Sequence, residues 1–280
     1  MKKILIPIDF KFNSYDAIDY AINFFKREQC DFYFLNTYSY NTEGLNAIHL
    51  LQADKYWFEK PKQDSEKNLG NLIQKYTYTN LDKKHYFNAL SECTDLVEGI
   101  KKTIKEIEID LVVLPGKEDS NDTTEKYSKN TKRIIENIRG CPVMVIPFSA
   151  KLHKNPEFVL VSNFEEELPT AELRNWYELV KIAKGTIKIV TLSGKDSMST
   201  TQKENQKRVR FEIEGYFKSQ ITIEYIETIR DLKDFANDHS DYIICLMDRK
   251  PDFWRICGIT HSQVTNLGPL RNTPLIALHH

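Results

Sequence analysis

The chain alternates short apolar runs with longer stretches of mixed polarity. In its first half the runs Ile4–Ile8, Asp31–Asn36, His85–Ala89, Leu111–Leu114 and Val143–Ile146 span four to six residues and favour Val, Ile, Phe and Tyr. Compact apolar runs of this kind predict strands buried on both faces, since half-exposed strands alternate polar with apolar. Between them, Ala17, Ala21, Phe24 and Phe25 mark one helical face, and Leu96, Val97, Ile100, Ile104 and Ile107 mark another. Asn13 or Ser14 is expected to cap the first helix and Thr94 or Ser91 the second, because a side-chain oxygen there takes an otherwise unpaired backbone N–H. The second half repeats the order. Phe158–Val161, Ile187–Thr191, Ile221–Tyr225, Tyr242–Leu246 and Leu275–Leu278 read as strands, and segments 171–183, 202–217 and 229–236 read as helices.

Five strands per half, alternating with helices, predict an α/β protein of two Rossmann-like domains, each a five-stranded parallel sheet flanked by helices. The halves match best at their ends. Arg139-Gly140-Cys141-Pro142-Val143-Met144-Val145-Ile146 closes the first, and Arg271-Asn272-Thr273-Pro274-Leu275-Ile276-Ala277-Leu278 closes the second. An internal repeat follows, with domains at 1–148 and 156–280 and a linker from Pro147 to Pro156. After the second strand, Thr37 to Pro61 forms a long connection holding Leu50, Leu51, Tyr56 and Trp57. Its aromatic content favours a packed excursion over a partly helical insert lying across the mouth of a ligand cleft, since exposed aromatics forgo burial energy.

Composition narrows the function classes. A length of 280 residues accommodates two ordinary domains, and 28% charged with 41% hydrophobic residues is a globular balance. The net charge of -1 argues against a general nucleic-acid binder. The basic groups Lys129, Lys132, Arg133 and Lys203, Lys207, Arg208, Arg210 read as solvated helix faces, with a phosphate patch as the alternative. Five dispersed cysteines without a C-x-x-C pair suggest reduced thiols in a cytoplasmic protein, Cys141 being a buried one. The apolar run after Met1-Lys2-Lys3 is cut by Pro7 and ends at Asp9, too short for a secretion signal, and no stretch reaches the ~20 apolar residues of a membrane span. The expectation is therefore a soluble protein that binds neither membrane nor nucleic acid. His49, His85, His153, His239 and His261 stand apart, so no metal site is expected, and His279 with His280 reads as a flexible tail. Nothing in the chain has the spacing of a hydrolase nucleophile, a zinc protease or a Walker A loop.

One stretch carries more. Lys2-Lys3-Ile4-Leu5-Ile6-Pro7-Ile8-Asp9-Phe10, followed by Asn13-Ser14, Ala17 and Tyr20-Ala21, resembles the first strand and helix of universal stress proteins. Cys141-Pro142-Val143-Met144-Val145-Ile146 resembles that family's last strand. The resemblance implies the adenine nucleotide alpha hydrolase-like fold, ATP or another adenine nucleotide in a cleft at the carboxyl ends of the strands, and dimers built through the last strand. Asp9 matches the family aspartate near adenine and ribose; it reads equally as a turn or helix-capping carboxylate.

Nucleotide-binding members carry G-x2-G-x9-G-[S/T] after the fourth strand, where glycines let the backbone approach phosphates. Here Pro115, Glu118 and about Ser128 take the glycine positions, Gly116 is one residue out of register, and Asp119, Asp122 and Glu125 add negative charge. Ser128, Asn130 and Thr131 keep a donor-rich helix start. The candidate nucleotide residues are thus Asp9, Thr37, Gly116, Ser128, Asn130 and Thr131, on a worn motif. The second half departs further, with Ser162 or Asn163 in the aspartate's place and no glycine in Leu246-Met247-Asp248-Arg249-Lys250-Pro251. Thr260-His261-Ser262 there reads as a helix cap or an anion site, and no ATP is expected in this half. The resemblance implies a non-enzymatic stress-response or regulatory protein whose halves pair as an intramolecular pseudo-dimer, with a homodimer as a further association. The alternatives are a degenerate scaffold acting through protein contacts without nucleotide, and a slow ATP hydrolase or nucleotidyl transferase.

Overall fold

The computed structural model describes residues 1–40, 55–80, 83–116, 126–248 and 262–279. In the first half β1 (Lys2–Pro7), α1 (Phe12–Phe24), β2 (Cys30–Tyr38), α2 (Lys55–Thr79), β3 (His85–Cys93), α3 (Leu96–Ile107), β4 (Leu111–Pro115), α4 (Lys129–Asn137) and β5 (Val143–Ile146) follow in order. The second half contributes β6 (Glu157–Ser162), α5 (Thr170–Ala183), β7 (Thr186–Leu192), α6 (Thr200–Phe217), β8 (Thr222–Ile226), α7 (Ile229–Asp238), β9 (Tyr242–Asp248), α8 (Gln263–Leu267) and β10 (Leu275–His279).

Ten strands form one sheet in the order β3-β2-β1-β4-β5-β10-β9-β6-β7-β8. Within each half all pairings are parallel. The halves meet where β5 and β10 pair antiparallel, Val145 opposite Leu275, Met144 opposite Ile276 and Val143 opposite Ala277.

The strand periodicity of two explains the layering. Ile4 and Ile6 face one side and join α1, α2, α5 and α6 through residues such as Ile18, Leu69, Trp176 and Ile213. Leu5 faces the other and joins α3, α4, α7 and α8 through Ile100, Ile135, Leu232 and Leu267. Both cores run through both halves. With helices on each face, the strands need no polar side, which is why they read as unbroken apolar runs.

Four local expectations are corrected. Helix α1 starts after Lys11, which offers no side-chain cap, and Asn13 and Ser14 lie buried inside its first turn. Helix α3 is capped by Asp95, whose Oδ1 accepts the Val97 N–H at 2.9 Å, so neither Thr94 nor Ser91 serves. Pro61 lies inside the 25-residue α2 and does not end a connection. Of the Thr37–Pro61 segment, residues 41–54 fall outside the described residues. His279 is no tail: it is the last residue of β10, 4% exposed, with Nδ1 taking a 2.8 Å hydrogen bond from Arg139 Nη1. His280 lies outside the described residues.

Candidate functional site

The cleft is built at the carboxyl ends of β1 and β4, where the strand order reverses direction and neighbouring connections leave toward opposite faces. After Pro7 the chain passes Ile8 and Asp9 into Phe10, which takes the left-handed φ of 60°. Asp9 holds that turn. Its Oδ1 accepts the Lys11 N–H at 3.1 Å and the Ser14 hydroxyl at 2.7 Å, and Oδ2 lies 3.7 Å from Lys11 Nζ. The side chain is still 49% exposed, so one edge of the carboxylate faces the cleft. Asn36, at the end of β2, donates to Ile8 O at 2.7 Å and fixes the neighbouring wall.

Thr37 follows on β2, and α3 comes close behind it. A Cβ on Gly99 would stand 3.0 Å from both Thr37 Cγ2 and Thr94 Cγ2, so glycine is what lets the helix approach. Across the cleft, Ser128 caps α4 by accepting the Thr131 N–H at 3.1 Å. Asp95 on α3 receives Arg133 Nη2 of α4 at 3.0 and 2.8 Å, tying the two helices. The Arg133 guanidinium is the main cause that holds the Asp95 carboxyl below the usual carboxylate range.

The resulting cavity, about 180 Å³, is lined by Asp9, Thr37, Ser128, Asn130 and Thr131 among others. Gly116 stays outside it. Its N–H bonds to Ile146 O at 2.7 Å, extending the β4–β5 ladder, and so points into the sheet. Glu118, Asp119, Asp122 and Glu125 lie outside the described residues. Sequence reasoning missed Asn36 and Lys11, and it assigned Asn13 and Ser14 only to capping; all four line the cavity. Asn36 was within reach of the pattern, as a polar residue closing an apolar strand beside Thr37.

The second half keeps the turn and braces it from a helix. Asn163 stands in the place of Asp9, its Oδ1 accepting the Glu165 N–H at 3.3 Å, and Phe164 repeats the left-handed φ at 55°. Side chains of α6 then close on this turn: Gln202 donates to Asn163 O at 2.9 Å and Asn205 to Phe164 O at 3.0 Å. Ser262 caps α8, accepting the Thr265 N–H at 2.9 Å, while Thr260, His261 and residues 249–259 lie outside the described residues.

Other candidate chemistry is quiet. Cys30, Cys141 and Cys245 are buried free thiols, and Cys93 is exposed. Burial pushes the Cys141 thiol up to about 12. Among the described residues no three His, Cys, Asp or Glu side chains gather as a metal site, and no helix is long and apolar enough to cross a membrane.

Neither a family model nor a curated protein matches this sequence. Solved structures do. A universal stress protein from Archaeoglobus fulgidus superposes with a TM-score of 0.72 at 14% identity, covering 99% of this chain and 98% of its own. The chain has the universal stress protein fold. A second structure, described as a putative universal stress protein from Pseudomonas aeruginosa, gives 0.59 at 10% identity over 100% of this chain and 93% of its own. The cytoplasmic domain of a prokaryotic cation chloride cotransporter reaches 0.51 at 11% identity, over 99% and 95%. The universal stress protein fold therefore occurs here at full length, while the cotransporter shows that one fold serves different proteins.

Proposed function

We propose that the protein is a non-enzymatic regulatory member of the universal stress protein family, binding ATP or another adenine nucleotide in the first-half cleft. The observation that carries the reading is the convergence of Asp9, Thr37, Ser128, Asn130 and Thr131 on one cavity at the strand-order reversal. In such a complex the exposed edge of Asp9 would accept from the ribose or base. The α4 N-terminus, with the Ser128 and Asn130 side chains, would face the phosphate end. We assign it no reaction, because among the described residues that line it there is no histidine and no carboxylate other than Asp9, which is engaged by Lys11 and Ser14. The second half serves as a built-in partner, joined through β5 and β10 as an intramolecular pseudo-dimer in the cytoplasm, and a homodimer remains open to it.

One observation favours a second reading, a scaffold without nucleotide. The Gly116 amide, the first donor after β4, is spent on Ile146 O. Thermal unfolding with and without millimolar ATP or AMP separates the two. A ligand at ~100 times its dissociation constant adds about 2.7 kcal/mol of stability. We expect a rise in Tm that disappears in Asp9→Ala; no rise with any adenine nucleotide sinks the first reading in favour of the scaffold.

A further inference from the structure

A second cavity, of about 130 Å³, lies on the seam between the halves, at the opposite end of α1 from the cleft. Three segments meet there: the end of α1 with its following turn, the linker, and the last turn of α5. Phe24, Leu152 and Ile182 give it an apolar floor, and Lys26, Arg27, His153 and Lys154 give it a basic rim. No acidic residue among the described ones lines it.

The rim is short of counter-charge. Lys26, Arg27, His153 and Lys154 make no ion pair with any described residue. Among the described arginines, Arg133, Arg139, Arg208 and Arg210 each meet a carboxylate while Arg174, Arg230 and Arg271 do not, so what sets the rim apart is that four basic side chains gather around one cavity. The rim also sits at two helix ends, where cations are favoured. Backbone N–H groups take some of the last-turn carbonyls there, Phe25 to Ala21 O and Lys26 to Asn23 O in α1, and Lys184 to Lys181 O and Gly185 to Val180 O in α5. Like charges gathered around one cavity repel, and a multivalent anion relieves that repulsion. An arginine fork matches phosphate oxygens in geometry as well as charge. An apolar floor beneath such a rim suits an anion with a hydrophobic body better than a bare inorganic ion.

We propose that this seam pocket binds a small organic phosphate, its phosphoryl group held by Lys26, Arg27 and Lys154 and its apolar part seated on Phe24, Leu152 and Ile182. Because the lining comes from the first half, the linker and the second half, the ligand fastens all three together. The pocket is independent of the nucleotide cleft and stands whether or not the cleft is occupied.

The test is calorimetric titration of the full chain with phenyl phosphate at fixed ionic strength. Saturable binding is expected, weakened about tenfold or more in the R27E/K154E double variant and retained in Ser128→Ala, which alters only the cleft. Both rim residues are exposed, and R27Q/K154Q removes the same charges more gently if reversal disturbs folding. Absence of saturable binding by the unmodified chain overturns the proposal, as does unchanged affinity in a well-folded rim variant. Equal affinity for inorganic phosphate overturns the assignment to an organic ligand.

Discussion

At the scale of single residues, Asp9 shows how one carboxylate can hold a turn and still present an edge to a ligand. Its Oδ1 satisfies Lys11 N–H and the Ser14 hydroxyl, and in the second half the uncharged Asn163 makes the matching turn bond. The turn therefore needs an acceptor, not a charge. Asp9→Asn is expected to leave the urea midpoint nearly unchanged, whereas Asp9→Ala loses about 1 kcal/mol. An equal loss in both variants would show that the charge itself holds the turn. Thiol reactivity is likewise a single-residue matter, governed by burial. In a Cys257→Ser background at mildly alkaline pH, Cys93 should react promptly with a thiol reagent. Cys30, Cys141 and Cys245 should wait for unfolding, because burial raises their thiol pKa, to about 12 at Cys30 and Cys141. More than one fast thiol by mass spectrometry would contradict this.

At the scale of elements, the cleft walls are helices tied at their ends. Asp95 caps α3 and receives Arg133 from α4, so one carboxylate serves two elements. Its pKa is lower folded than unfolded, and the sign follows. The stabilisation is complete above the unfolded value, about 3.9 for aspartate, and is lost as pH falls through the folded one. Asp95→Asn should therefore flatten the acid limb of a stability-pH curve, with the gap between the two proteins closing below about pH 3.9. Because the pair is solvent-exposed the effect is modest. A gap that persists undiminished at low pH would assign Asp95 a purely uncharged capping role. On the opposite face, α2 packs through Leu69, Leu72 and Tyr76, a narrow stripe three to four residues apart that suffices once the strands supply the rest of the core.

At the scale of the whole molecule, the two halves share one sheet, and the join is as dry as the interior. Val143, Met144, Ile276 and Ala277 are each fully buried at it. Arg139 completes the join. Its Nη1 reaches Asp248 Oδ2 at 2.7 Å, with the aspartate side chain only 1% exposed, and also donates to His279 Nδ1 at 2.8 Å. Taking the guanidinium away leaves a buried carboxylate without this counter-charge. Arg139→Ala is expected to cost about 3–5 kcal/mol in urea unfolding, and Asp248→Asn on top of it should recover part of the loss by removing the stranded charge. A cost under about 1 kcal/mol would mean that solvent reaches Asp248 after all.

Much of this was legible along the chain. Strand positions, the alternation with helices and the Asp9 turn all depend on neighbours within a few residues. Local periodicity and turn chemistry therefore carry them, and the strand runs map onto β1 to β10 with ends shifted by at most two residues, except that β3 runs four residues past Ala89 to Cys93. The long α2 was not legible, because Pro61 interrupts its pattern and its apolar face is too narrow to stand out. Tertiary structure alone decided the fates that depend on distant partners. Gly116 looked like part of a phosphate loop until Ile146 O, thirty residues on, was found to hold its amide. His279 looked like a tail until Arg139 and the β9 register buried it. The seam pocket belongs to the same class: Lys26, Arg27 and Lys154 lie in separate segments of the sequence, and only the packing of α1, the linker and α5 sets them around one cavity.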